Sequence, residues 1–180
     1  HVNFTTAEDQ AALEQAGFLR RHDCRFQWHN RGYRDFDDFL DRFRSDKRKK
    51  ARRERRRVAE AGVELRTLQG AEIDGALWRT IFGFSERTFL RHGNAHYLSP
   101  EFLERVAGLV PDTIVVILAE RAGVPIAAAI FFHGGGRLYG RYWGAAEHVD
   151  CLHFEACYYQ GIDYCIANGI DAFDPGTQGE

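Results

Sequence analysis

The chain has 180 residues, 44% of them hydrophobic, with a formal net charge of −2, which is enough apolar material for one buried core and too little length for two large ones. No apolar run approaches the roughly 20 residues of a membrane span, and the N-terminus carries no basic, apolar and small-residue signal pattern, so a cytoplasmic protein without a membrane span is predicted. The small net charge hides an asymmetry, because Arg42 to Arg57 holds eleven basic and two acidic residues while the remainder is acidic in excess; a basic block on an acidic body points to a polyanionic partner such as phosphate, a nucleotide or RNA.

Thr5 or Thr6, followed by Ala7, Glu8 and Asp9, reads as the cap and acidic first turn of a helix running to Gly17. Cys24, Phe26 and Trp28 alternate with polar neighbours, which predicts a half-buried strand within Phe18 to Trp28. Trp28, Asn30 and Tyr33 then surround a turn at Gly32, either capping a pocket or stapling the turn to the core. Phe36, Phe39, Leu40 and Phe43 recur at helical spacing and lead into the basic run, which ends near Gly62. A strand over Val63 to Leu68, a helix over Glu72 to Leu90 and another over Ser99 to Leu109 follow, the last with Pro100 in its first turn.

The second half predicts a meander of three strands, Thr113 to Glu120, Ile126 to His133 and Arg137 to Tyr142, joined by turns at Arg121 to Pro125 and Gly134 to Gly136. A helix over Leu152 to Asn168 and a strand over Ile170 to Phe173 close the chain. Cys24, Cys151, Cys157 and Cys165 form neither a disulfide framework nor a CxxC pair, which fits a reducing compartment. The absence of methionine predicts either a fragment of a longer chain or a sequence from which modified methionines are missing.

Arg137 to Tyr164 concentrates Tyr, Trp, Arg, His and Glu in a strand, a loop and the start of a helix. Each such group left buried without a partner costs about 1 to 3 kcal/mol, so a pocket wall explains the segment better than a core does. On a regular strand Tyr139, Arg141 and Trp143 share one face and Leu138, Gly140 and Tyr142 the other. Arg141 is then a carboxylate or phosphate ligand and Tyr139 a hydrogen-bonding partner of the reacting group, against the alternative of a stacked sheet surface with a structural ion pair. The basic helix bears charge around most of its circumference; Lys47, Arg48, Arg52 and Arg53 are its expected anion contacts, while others are solvated. No helix-turn-helix or zinc-finger pattern suggests specific DNA binding. His148, Cys151 and His153 match no zinc spacing, and no metal is expected.

WHNRGYRDFDDFL, KRKKARRERRRV, LYGRYWG, LHFEACYYQGIDY and PGTQGE, in that order, make the chain resemble the FemAB-like family of predicted N-acyltransferases, over nearly its whole length. The resemblance implies a single GNAT-like α/β (α+β) domain over residues 1–180, with a central, mostly antiparallel sheet flanked by helices. It implies acyl or aminoacyl transfer to an amine, tied to peptidoglycan biosynthesis or recognition, with aminoacyl-tRNA or acyl-CoA as donor and no permanently bound cofactor. The expected substrate is a small molecule or a cell-wall precursor, with tRNA as a further partner. Amine attack needs a proton acceptor, for which Glu155 comes first and His153 second, although Glu155 could equally stabilise a helical turn. Trp143, Trp28, Tyr33, Gln178 and Glu180 complete the expected binding residues. RYWGAA also fits, weakly, the pyrophosphate loop of CoA-dependent GNAT enzymes. The rival readings are a non-catalytic module recognising a cell-wall precursor or RNA, and a CoA-dependent acetyltransferase of small amines.

Overall fold

The structure, a computed structural model, describes residues 2, 5–22 and 26–176. Helix α1 (Ala7–Gln15) begins at Thr6, whose hydroxyl accepts from the Asp9 amide while the Asp9 carboxylate accepts from the Thr6 amide, yet the helix buries no residue. The strand expected from Phe18 to Trp28 shrinks to β1 (Trp28–His29). Leu19 is 98% exposed and Phe26 70% exposed, and Cys24 lies outside the described residues. Among the described residues β1 pairs at two positions, Trp28 opposite Phe173 and His29 opposite Ala172, so of the alternating set Trp28 lies on the sheet and Phe26 does not.

The helix expected from Phe36 to Gly62 is two helices, α2 (Phe36–Leu40) and α3 (Ser45–Glu60). An aspartate at the end of α2, Asp41, opposes the helix dipole there. Arg48 and Arg52 of α3 reach back to Asp41 and Asp37, tying the two helices across the break. Gly62, at φ +72°, turns the chain into β2 (Val63–Gln69). A 3-10 turn precedes α4 (Gly75–Arg91), capped by Asp74, and α5 (Pro100–Leu109) is capped by Ser99.

The meander forms as expected, from β3 (Ile114–Arg121), β4 (Val124–Gly134) and β5 (Arg137–Ala145). Its two-residue turns, Ala122–Gly123 and Gly135–Gly136, have positive φ at all four residues, the geometry that matches strand twist in a tight hairpin. The next helix starts as α6 (Leu152–Phe154), widens into a π turn over Glu155–Tyr159 and continues as α7 (Gln160–Ala167) before β6 (Ala172–Asp174).

The six strands form one sheet in the order β1-β6-β5-β4-β3-β2, antiparallel everywhere except between β5 and β6. Ile114, Val116 and Leu118 of β3 with Ile130 of β4 pack under Trp78, Ile81 and Leu103 of α4 and α5. Val115, Ile117 and Phe131 face the opposite way, toward Ala156 and Cys165, with Val58 of α3 packed near Ala119. The sheet therefore carries helices on both faces, and β3 is buried through Ala119 because both sides are covered.

Candidate active site

Two irregularities of β5 create the site. The register with β4 runs Tyr142 opposite Ile130 and then Gly140 opposite Phe131, so Arg141 is an extra residue in a β-bulge. The bulge reverses the alternation: Tyr142 packs with Ile130 under α4, whereas Leu138 and Trp143 both belong to the cluster against α7. Tyr139, Arg141 and Trp143 thus do not form the single face expected from a regular strand.

The second irregularity is the seam with β6. Among the described residues the two strands pair over Arg137–Tyr139 against Ala172–Asp174, and β5 from Gly140 onward has no partner strand on that side. The chain leaving β6 first presses on β5: a Cβ at Gly140 would lie 2.7 Å from the Pro175 carbonyl oxygen. Beside this contact lies a cavity of about 440 Å³ bounded by Gly140–Trp143, Pro175, Phe89, Tyr97, His153 and Tyr158. A second cavity of about 460 Å³ lies under the Ala145–Phe154 loop and takes in Glu54, Arg57 and Arg91. Trp143 and His153 line both, so the two form adjoining chambers of one cleft.

In the first chamber Arg141 donates to the Tyr97 hydroxyl at 2.7 Å, and the Tyr97 and Tyr142 hydroxyls are 2.9 Å apart. Burial, and then the Tyr97 hydrogen bond, push the Tyr142 hydroxyl up to about 12, so it stays protonated. His153 stands between the chambers, its ring 5.4 Å from that of Trp143. Burial lowers its pKa below the ordinary 6.5, so near neutral pH it is an uncharged proton acceptor. Cys157 lines the first chamber, but burial pushes its thiol up, away from the thiolate a nucleophile needs.

Glu155 lies elsewhere. It is 3% exposed and faces α3, where its Oε1 accepts from Arg55 Nε at 3.1 Å and from Gln160 Nε2 at 2.8 Å. Arg55 continues to Asp163 at 3.1 Å, and the other Glu155 oxygen is buried without a hydrogen bond among the described residues. Burial outweighs Gln160 and Arg55 and raises the Glu155 pKa above its usual value. The group is part of a buried interhelical ion pair, and it lines neither chamber.

Tyr139 is half-exposed and likewise lines neither chamber. Trp28 and Tyr33 pack on one another and on Phe39, ring centroids 5.4 to 6.0 Å apart, while Asn30 ties the turn to Ile170 and Asp171. They form the staple of the two expected alternatives. Arg48 and Arg52 are engaged by Asp41 and Asp37; Lys47 and Arg53 remain exposed. Gln178 and Glu180 lie outside the described residues. RYWG lies inside β5, and a Cβ at Gly144 would sit 2.0 Å from the backbone of Phe84, so that glycine permits strand-on-helix packing and is no part of a phosphate loop. Tyr97 is a cleft residue the sequence did not reveal, since it stands alone in an irregular loop 44 positions from Arg141.

Comparison with known proteins agrees with this architecture. A C-terminal domain assigned to a lysylphosphatidylglycerol synthetase from Agrobacterium fabrum superposes with a TM-score of 0.55 at 12% identity, over 78% of this chain and 43% of that one. L-PGS from Bacillus licheniformis gives a TM-score of 0.57 at 14% identity, over 93% of this chain and 49% of that one. The chain thus spans less than half the length of either structure, and the likeness establishes a shared mixed α/β fold. Diaminobutyrate acetyltransferase EctA from Paenibacillus lautus, in complex with its substrate and coenzyme A, overlaps at a TM-score of 0.30, too loosely to bear on this chain. No curated protein matches the sequence. The model of one family, described as peptidoglycan biosynthesis and recognition, matches residues 1–180, and the chain belongs to that family, the FemAB-like proteins.

Proposed function

We propose that the chain catalyses N-acyl transfer, moving an acyl or aminoacyl group to an amine, with a peptidoglycan precursor as the acceptor class. The observation that carries this reading is the open edge of β5, where unpaired strand backbone, a neutral histidine and a guanidinium–phenol pair face one cleft. Such an edge offers main-chain donors and acceptors to an extended donor arm, as strand addition does for peptides. The amine nitrogen attacks the acyl carbonyl, forming a C–N bond and breaking the ester or thioester bond. His153 accepts the amine proton and returns it to the departing oxygen or sulfur. Arg141, oriented by Tyr97, holds an anionic or carbonyl oxygen of a substrate. The family description supports the acceptor class, and the name of one structural neighbour, a lysyl-lipid synthetase, is consistent with aminoacyl transfer. An aminoacyl-tRNA or acyl-CoA donor places the reaction in the cytoplasm.

The test is incubation of the full-length protein with aminoacyl-tRNA or acetyl-CoA and a UDP-linked muropeptide, with the acceptor mass read by mass spectrometry. His153→Gln should lower turnover by roughly 10² to 10⁴ if the histidine moves the proton. A second reading, a non-catalytic recognition module, is favoured by the sequestration of Glu155, which leaves the first chamber without a carboxylate among the described residues. Saturable binding of the precursor with no mass change from either donor would select it and end the transferase reading.

A further inference from the structure

A third cavity, of about 310 Å³, lies between α2–α3 and the helix carrying Phe154 and Ile162. It meets the second chamber at Glu54 and Phe154, which line both. Phe39, Leu40, Phe43 and Ala51 make its walls, and Lys47 and Lys50, one helical turn apart, stand at its margin. Phe43 is 41% exposed and Phe154 is 52% exposed. Aromatic rings held at the surface beside an apolar hollow are a patch that a folded chain ordinarily covers.

The fold also sorts the basic run. Salt bridges take up Arg48, Lys50, Arg52, Arg55, Arg56 and Arg57. Among the described residues, none takes up Arg42, Arg44, Lys47, Lys49 or Arg53. Lys50 retains only a 3.6 Å contact with Glu54, and the Glu54 carboxylate also accepts from the Tyr159 hydroxyl. Glu54, which lines both cavities, sets a carboxylate against the hollow while Lys47 leaves its margin positive, so an anionic group is favoured at Lys47 and disfavoured beside Glu54. An apolar hollow with cations at its lip and a carboxylate in its wall complements an amphiphile whose phosphate stays outside and whose hydrocarbon goes in.

We infer that this face docks on an anionic membrane surface, with a lipid phosphate at Lys47 and Lys50 and the Phe43 and Phe154 rings inserted below headgroup level. Lysine stems lying along apolar surface with their ammonium groups outward are suited to that interface. Among the described residues no helix is long and apolar enough to cross a membrane, so the association is peripheral. A polyanion such as RNA would meet the cations but give the walls and the half-exposed rings no hydrocarbon. The inference is independent of acyl transfer, since its readout is binding.

The test is co-sedimentation of the full-length protein with vesicles of phosphatidylcholine alone or mixed with phosphatidylglycerol. Binding is expected only to the anionic vesicles, weakened about fivefold by Lys47→Gln and again by Lys50→Gln. Phe43→Ser and Phe154→Ser should weaken binding at both low and high salt, with an unchanged circular dichroism spectrum showing that these exposed sites leave the fold intact. Failure to bind anionic vesicles would overturn the inference. So would binding that follows charge alone and ignores both phenylalanine substitutions, or tight RNA binding without vesicle binding.

Discussion

Arg52 and Arg55 are three residues apart on α3, and their ion pairs differ in worth because their surroundings differ. Arg52 meets Asp37 with both side chains more than half exposed, whereas Arg55 meets Glu155, whose side chain is 4% exposed. Removing one partner of a buried pair strands a charge in low dielectric, while an exposed pair is screened. Arg55→Ala should therefore cost about 3 to 5 kcal/mol and Arg52→Ala under about 1 kcal/mol in denaturant unfolding. The titrations have opposite signs. The folded state depresses the pKa of His153, so the unfolded chain binds that proton more readily and the stability linked to it is complete above pH 6.5 and lost as pH falls below. Burial raises the pKa of Glu155, so its penalty appears as pH rises past 4.5. For the reaction, the acid limb of kcat/KM set by His153 should fall below pH 6.5 and disappear in His153→Gln. Arg141, Trp143 and His153 were legible because such residues clustered in a strand and helix start are costly to bury. The partner of Glu155 was not, since Arg55 lies 100 positions away and only the packing of two helices joins them.

At the level of elements, glycines separate what must be small from what happens to be small. Gly144 has the backbone of Phe84 and Ser85 where its Cβ would stand, whereas Gly83, in the middle of α4, has open space. Gly144→Ala should cost about 3 kcal/mol or more through overpacking between strand and helix, and Gly83→Ala should gain about 0.5 to 1 kcal/mol from helix propensity. Thermal melts of the two variants check both signs. The meander was readable from short continuous apolar runs separated by turns that contain glycine. The bulge at Arg141 and the π turn at Glu155–Tyr159 were not, because each adds one residue to an element without altering the kinds of residue in it. Those additions decide which side chains reach the cleft, so the site was less legible than the fold. Of the strand expected near Phe26, the described residues form Trp28–His29 alone, opposite a β6 that is itself three residues long.

On the scale of the molecule, the uneven charge seen along the sequence is largely an internal arrangement. Asp37, Asp41, Asp150, Glu155 and Asp163 answer five contacts of α3, so a run that looks like a polyanion site also fastens a helix to the body. Composition showed the imbalance, but only the fold shows which cations are left over. The sheet is uneven in another respect. β2 to β5 are joined along most of their lengths, whereas β6, carrying β1, is attached by three residues. The cleft exists because this junction is short, and a short junction is also where the sheet opens most easily. Amide hydrogen exchange should release Trp28–His29 and Ala172–Asp174 well before the amides of β3 and β4, which would show that local unfolding begins at the border of the cleft. A long occupant lying along the free edge of β5 would then slow exchange in β6 as well, so protection of a strand it never touches becomes a record of occupancy.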